Sequence, residues 1–270
     1  MGFISIIRPF NCLITLVCVW VGTWVGRAIF VSIPTIIAAC IGFCACAFGN
    51  IVNDIFDIEI DRINNSQRPL VSGRVSKSAA ISMAVLFALA SVIASGFLGT
   101  RAFMLVFVTI AVLFFYAAFL KKMIIGNLVV ALVAGTSFIF GGIVGENALS
   151  FMPFCFALLV HLAREIVKDA IDIEGDRAGS VSSLPIIIGR EKSLALSAFL
   201  LAILILVIPI PFLLKIMNIT YLFIVVVGTY PLIAYVIVQV LRNPQQEKLP
   251  RLSRLLKIAM AVGLLGFILG

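Results

Sequence analysis

The residues with the most chemistry in them lie between Asn50 and Asp61, in the string N-I-V-N-D-I-F-D-I-E-I-D. On an α-helix at roughly 100° per residue, Asn50, Asp54, Asp57 and Asp61 fall within an arc of about 60°. Asn53 lies at the edge of that arc and Glu59 points away. Three carboxylates on one face repel one another, and more strongly in a dry setting than in water. Their place at the end of a long apolar segment adds a desolvation cost. A bound cation would make the arrangement favourable, and oxygen donors without His or Cys suit Mg2+ or another hard ion. Asn50, Asp54, Asp57 and Asp61 are therefore read as metal ligands.

The string occurs twice. Asp169 to Arg177 reads D-A-I-D-I-E-G-D-R, against D-I-F-D-I-E-I-D-R from Asp54 to Arg62. Asp169, Asp172 and Asp176 keep the spacing of Asp54, Asp57 and Asp61 and form a second ligand set. By the same alignment Glu165 stands where Asn50 does, and Lys168 where Asn53 does. Further on, Pro69 with Gly73 and Arg74 is echoed by Pro185 with Gly189 and Arg190. One acidic cluster is commonly a solvated helix end. Two matching clusters in a chain with only 12 Asp and Glu point to a shared role.

The elements that must carry these residues follow from composition. Of 270 residues 63% are hydrophobic and 12% charged, with a mean hydropathy of +1.23. This excludes a soluble globular domain and implies an all-α, polytopic membrane protein. At roughly 20 residues per span plus short loops, the chain holds about nine spans. It is read as one integral membrane domain over 1–270, with no soluble domain left over. The expected spans are 11–30, 33–56, 78–98, 102–120, 124–145, 151–171, 193–214, 219–241 and 252–270. Gly135, Gly141, Gly142 and Gly145 would allow close helix contact. No cleavable signal pattern is present, so the first span is expected to stay as an anchor. The six cysteines, Cys12, Cys18, Cys40, Cys44, Cys46 and Cys155, lie mostly in apolar segments without a CxxC or zinc spacing, and are read as small buried hydrophobes.

The net charge of +8 does not indicate nucleic acid, because the basic residues are spread over loops between apolar runs. One set of connections holds Arg62, Arg68, Arg74, Lys77, Lys121, Lys122, Arg177, Arg190, Lys192, Arg242, Lys248, Arg251 and Arg254. The alternate set holds Arg27, Arg101 and Lys215. The first set is expected to be cytoplasmic, together with the N-terminus and Arg8, and the C-terminus outside the cell membrane. Glu146 is the only acid on the outer side. Two acidic clusters offset by four spans share one orientation, which makes a parallel repeat whose site lies between its copies. Two such helix ends facing each other would hold two cations between six carboxylates.

Around the clusters stand the residues expected to bind substrate. Arg8 and Asn11 open the first span; Asn50 and Asn53 belong to the first cluster; Arg68 sits beside Pro69 in the loop after it. Tyr116, Lys121 and Lys122 close the fourth span, Asn127 opens the fifth, and Arg164 and Lys168 lie within the sixth. Guanidinium forks suit phosphate, and charges inside an apolar helix should face the bundle interior. His161, the single His, is read as an interior polar group. Hard cations, Arg and Lys before an apolar bundle fit a ligand with a diphosphate head and a long apolar tail. The cations would neutralise a departing diphosphate, while a dry aromatic cavity would shield an allylic cation from water. The parts thus describe a prenyl-transferring enzyme. Cation transport, the alternative of another class, would favour carboxylates near midspan rather than at helix ends on one face.

The sequence resembles the UbiA superfamily of intramembrane prenyltransferases. Asn53, Asp54, Asp57 and Asp61 stand as its N-D-x-x-D-x-x-x-D motif, followed by R-x-N, R-P and S-G-R; Asp172 and Asp176 stand as its second D-x-x-x-D motif, followed by L-P. R-P-x-N near the start and G-N-L-V-V-A at the fifth span extend the likeness over the whole chain. The resemblance implies nine transmembrane helices around a central cavity that opens sideways to membrane lipid. It also implies two Mg2+ bridging the aspartate motifs to a prenyl diphosphate, with Asp54, Asp57, Asp61, Asp172 and Asp176 catalytic. Within the superfamily, R-E-I-V-K-D, D-I-E-G-D-R and I-G-N-L-V-V-A-L-V-A-G-T are similar to the branch that makes archaeal ether lipids. That branch moves a geranylgeranyl chain from its diphosphate to the free hydroxyl of geranylgeranylglyceryl phosphate. A phosphate-bearing acceptor requires cations beyond those for one diphosphate, and Arg8, Lys121, Lys122, Arg164 and Lys168 are counted as that surplus. An aromatic prenyltransferase acting on a quinone or haem precursor, the alternative enzyme, would not require them.

Overall fold

The structure is a computed structural model that describes residues 2–29, 31–179, 181–242 and 244–270. It is built of helices: α1 (Gly2–Ile7), α2 (Pro9–Trp24), α3 (Ile33–Phe56), α4 (Ile58–Asn64), α5 (Lys77–Gly96), α6 (Thr100–Ala118) and α7 (Gly126–Val144). There follow α8 (Phe151–Ile171), α9 (Ile173–Ala178), α10 (Leu184–Ile187), α11 (Arg190–Val207), α12 (Ile210–Leu213), α13 (Ile219–Ile224), α14 (Tyr230–Leu241) and α15 (Leu249–Leu269). Among the described residues eight helical segments are long and apolar enough to cross a membrane: Ile33–Phe56, Lys77–Gly96, Thr100–Ala118, Gly126–Val144, Ala148–Ile171, Arg190–Leu213, Ile219–Leu241 and Gln246–Leu269. Their exposed surface is greasy, with Leu86 65% and Leu206 74% exposed, as contact with hydrocarbon demands.

The expected spans are matched within a few residues except the first. The span expected over 11–30 is a helix over Pro9–Trp24, and residue 30 lies outside the described residues. Gly26 has φ +72°, which ends the helix early. Sixteen residues rise about 24 Å, short of the ~30 Å hydrocarbon core. Local signals set several starts. Ser32 caps α3 in a reciprocal box with Thr35 ahead of Pro34, and the Ser76 hydroxyl accepts from the Ala79 amide at 3.2 Å to start α5.

The chain divides into two units. The first holds Met1–Trp24, Ile29–Lys121 and Thr136–Ser150; the second holds Val25–Ala28, Lys122–Gly135 and Phe151–Gly270. In the first, α3 is the centre, packed by α1, α2, α5 and α6. A core of Ile6, Phe48, Ile51, Val52, Val75, Ala80, Ala84 and Ala117 fixes the half of α3 that leads into the acidic string. Gly141 and Gly145 lie against the backbone of α2, at Val19 and Thr23, where any side chain would collide with main-chain atoms. In the second unit α8 is the centre, packed by α11 and α15, with α9 and α10 at its end.

Candidate active site

The first acidic string is not one continuous helix. α3 ends at Phe56, Asp57 takes φ −92° and ψ 2°, and α4 starts at Ile58. The backbone nevertheless keeps its ladder through the corner: Asp57 N donates to Asn53 O at 3.0 Å, Asp61 N to Asp57 O at 2.7 Å and Asn65 N to Asp61 O at 2.8 Å. The second string repeats this residue by residue. α8 ends at Ile171, Asp172 takes φ −98° and ψ 13°, and α9 starts at Ile173. Asp172 N donates to Lys168 O at 3.0 Å and Asp176 N to Asp172 O at 2.8 Å. The repeat seen in sequence is thus a repeat of backbone, two helix ends broken at the middle aspartate. The glycines downstream also correspond, with Gly73 at φ +72° and Gly189 at φ +86°.

At the first corner Asp54, Asp57 and Asp61 are only 3–5% exposed. Buried carboxylates need partners, and three cationic side chains converge on them. The guanidinium groups of Arg8 and Arg68 both donate to Asp54 Oδ1. Arg68 also lies 3.3 Å from Asp61 Oδ2, so one guanidinium bridges two carboxylates. The Lys121 ammonium donates to Asp57 Oδ2, which accepts from Asn53 Nδ2 at 2.8 Å as well. Burial pushes the Asp61 carboxyl up to about 6, opposed by the Arg68 charge. Nearby positive charge is what favours the ionised form of a carboxyl buried in this way.

Arg8 reaches the corner from a strained backbone. It stands at φ +52° between α1 and α2 and precedes Pro9, where extended conformations are the rule. Such a residue costs on the order of 1–3 kcal/mol. Asn50, one turn before Asp54, donates its amide to Ile7 O at 2.9 Å and so holds the peptide that leads into Arg8. Its amide nitrogen also lies 3.8 Å from Cys12 Sγ and 3.6 Å from Cys46 Sγ.

At the second corner Asp169 Oδ2 accepts from Asn127 Nδ2 at 2.6 Å. Asn127 lies in the first turn of α7, and its side chain serves this carboxylate. Glu165, buried within α8, binds a cation on each oxygen: Arg164 Nη1 at 3.2 Å and Lys168 Nζ at 2.6 Å. Arg164 Nε further donates to Ser253 O on α15 at 3.3 Å. His161 is half-buried one turn before Glu165.

The structure therefore brings Arg8, Asn53, Arg68 and Lys121 together with the first three aspartates, and Asn127 with Asp169. Four of the five cations counted as surplus have carboxylate partners: Arg8 on Asp54, Lys121 on Asp57, and Arg164 and Lys168 on Glu165. Lys122 is exposed, and its carbonyl accepts from Ser182 N at 2.9 Å. Asn11 and Tyr116 are half-buried. Gln246, marked by no motif and by no counterpart in the repeat, donates to the last two carbonyls of α8. Its only signal in sequence is a polar side chain in a short loop between two apolar runs.

Among the described residues no three Asp, Glu, His or Cys groups converge as closely as metal ligands do. At the first corner the donor set still fits a hard divalent ion: it is made of buried carboxylate oxygens, and Arg68 already places Asp54 and Asp61 on one positive centre. Arg8, Arg68 and Lys121 occupy the oxygens that such an ion would take.

A model of the UbiA prenyltransferase family matches residues 15–260. Digeranylgeranylglyceryl phosphate synthase of Methanocaldococcus jannaschii is 35% identical over 99% of this chain and 95% of its own length. The synthase of the same name from Thermococcus kodakarensis is 36% identical over 99% of this chain and 97% of its own. A solved structure of digeranylgeranylglyceryl phosphate synthase superposes with a TM-score of 0.81 at 34% identity, covering 100% of this chain and 97% of that one. The UbiA homologue of Archaeoglobus fulgidus bound to DMAPP and Mg2+ shares the fold, with a TM-score of 0.68 at 19% identity over all of both chains. With its doubled acidic corner, its apolar helices and a family match over nearly its whole length, this chain belongs to the UbiA prenyltransferase family.

Proposed function

We propose that the protein transfers a geranylgeranyl group from geranylgeranyl diphosphate to the free hydroxyl of geranylgeranylglyceryl phosphate, forming the second ether bond of archaeal membrane lipids. Support comes from relatives of that activity by name, 33–36% identical over the full chain. The observation that carries the reading is the presence of two separate basic groups. Arg8, Arg68 and Lys121 gather on the first acidic corner, while Arg164 and Lys168 gather on Glu165 of α8. One diphosphate and one further phosphate would use both.

In this reading Asp54, Asp57 and Asp61 would hold one divalent ion and Asp169, Asp172 and Asp176 a second, with Asn50 at the edge of the first set. Mg2+ held by these residues would supply positive charge to a leaving diphosphate, and the neighbour bound to DMAPP and Mg2+ supports that use. Arg8, Arg68 and Lys121 then exchange their carboxylate partners for diphosphate oxygens. The allylic C–O bond breaks with its electron pair going to the diphosphate, and the acceptor hydroxyl oxygen forms the new bond to that carbon. The hydroxyl proton leaves to a phosphate or carboxylate oxygen nearby. Asn53 and Asn127 hold the aspartate side chains in place during this exchange. Arg164, Lys168 and Lys122 bind the acceptor phosphate, and Asn11 and Tyr116 belong to the residues that bind substrate.

The same reading gives nine spans, with Pro9–Trp24 as the short first one, the N-terminus and both acidic corners cytoplasmic, and the C-terminus outside. The test is formation of the digeranylgeranyl product by purified protein with Mg2+, its loss in EDTA and its return on adding Mg2+. Full activity in EDTA would refute the mechanism. Cysteines placed at Arg68, Lys122 and Arg190 on a cysteine-free background should label from the cytoplasmic side, and one at Arg101 from the outside.

A further inference from the structure

The break at Asp172 leaves the last carbonyls of α8 without their usual helical partners. Two of them are claimed by one side chain. Gln246 Nε2 donates to Ala170 O at 2.9 Å and to Ile171 O at 2.5 Å, using both hydrogens of one amide group. Ile171 O and Asp172 N belong to the same peptide plane. That nitrogen donates to Lys168 O at 3.0 Å and Asp169 O at 3.2 Å. The plane is thus gripped at its N–H by α8 and at its carbonyl by Gln246, and its orientation sets the direction in which Asp172 leaves the backbone.

Gln246 has a firm footing from which to do this. It opens the short 3-10 turn Gln246–Lys248 between α14 and α15. The loop is pinned on one side by the Arg190 guanidinium, which donates to the carbonyl of buried Pro244. Leu249, fully buried, pins it on the other. We propose that Gln246 is a positioning residue for the second acidic corner, holding the Ile171–Asp172 peptide so that Asp172 presents its carboxylate to the divalent ion. This rests on the reading that Asp169, Asp172 and Asp176 hold that ion.

The test uses the full-length protein without substrate and measures Mn2+ affinity by electron paramagnetic resonance. Loss of a partner that orients a metal ligand weakens metal binding on the order of ten- to a hundredfold. Gln246→Ala should therefore bind Mn2+ about tenfold more weakly. Gln246→Glu, which sets an acceptor against two acceptors, should be at least as weak, and Gln246→Lys, which keeps a donor, should recover most of the affinity. Gln245→Ala, in the same loop without such a bond, is the control. In metal-free protein, hydrogen exchange of the segment spanning Asp172 should quicken in the Ala and Glu variants and not in Gln245→Ala. An affinity and an exchange rate for Gln246→Ala equal to those of Gln245→Ala would overturn the inference. If Gln246→Ala does not fold, the Glu and Lys variants decide: equal affinity in the two overturns it. Asp172→Asn separates this inference from the metal reading. If Asp172→Asn leaves Mn2+ affinity intact, the metal reading fails; if it weakens binding while Gln246→Ala does not, only the positioning role fails.

Discussion

The two acidic corners share a backbone and differ in how their charge is answered. At the first, Asp54 faces two guanidinium groups and Asp57 an ammonium, brought from the α1–α2 break, the loop after α4 and the end of α6. At the second, Asp169 faces a neutral amide, and the cations nearby on α8 are bound to Glu165 rather than to an aspartate. Substituting Glu165 for Asn50 and Lys168 for Asn53 in the repeat accounts for this, since it builds an ion pair one turn ahead of the corner. A carboxylate shared with Arg gains less from a metal ion than one bonded only to an amide. One backbone geometry is thus kept twice while the partners differ: Asp54 and Asp57 of the first corner bond to cations, and Asp169 of the second bonds to an amide.

The largest effects should come from the aspartates at the two breaks. Asp57→Ala and Asp172→Ala should each lower turnover by a hundredfold or more while the protein still inserts, since removing a ligand exceeds the ~10- to 100-fold cost of disturbing a residue behind one. Radiolabelled transfer in membranes measures this. Substantial activity in either variant would remove that corner from the site.

Next come the partners, and here the corners should separate. Arg68→Gln strips a cation from both Asp54 and Asp61, and losing a charged hydrogen bond of about 1.5–3 kcal/mol raises the donor KM roughly ten- to a hundredfold. Asn127→Ala removes a single amide donor and should cost about tenfold or less. If the two variants lose donor affinity equally, the asymmetry drawn between the corners has no functional meaning. Arg164→Gln should raise the acceptor KM by about tenfold and leave the donor KM nearly unchanged. An equal rise in both would place the second basic group on the donor.

The ion pair Arg62–Glu59 marks the bottom of the scale. Its side chains are 62% and 78% exposed at 2.8 Å, and pairs of this kind contribute about 0–1 kcal/mol. Glu59→Ala should leave transfer within about twofold, in contrast to Asp57 and Asp61 beside it.

Much of this was legible in the sequence. The spacing of Asp54, Asp57 and Asp61 put them on one side of the chain, and the second string gave the repeat, because both signals are local. The spans were legible because hydrocarbon contact demands apolar runs of fixed length. What escaped depends on contacts between distant segments. No pattern shows that the helix breaks at Asp57 and Asp172, since Asp57 N and Asp61 N keep helical bonding through the corner. Arg8 was legible as a cation, but its positive φ and its hold on Asp54 arise from how α1 packs on α3. The partners of the basic residues escaped for a related reason: a sum over charges does not show that Glu165 pairs with two of them. Gln246 left no trace because its partners are backbone carbonyls, which every residue has.

The central claim is that the second basic group answers a phosphate on the acceptor. The direct measurement offers purified protein geranylgeranyl diphosphate and Mg2+ with an equimolar mixture of geranylgeranylglyceryl phosphate, its dephosphorylated form and 4-hydroxybenzoate, and identifies the products by mass spectrometry. The account predicts prenylated product from the phosphorylated acceptor almost alone, with Arg164→Gln eroding that preference. Comparable product from the phosphate-free lipid or from the aromatic acid would contradict it and make the protein an aromatic or less selective prenyltransferase.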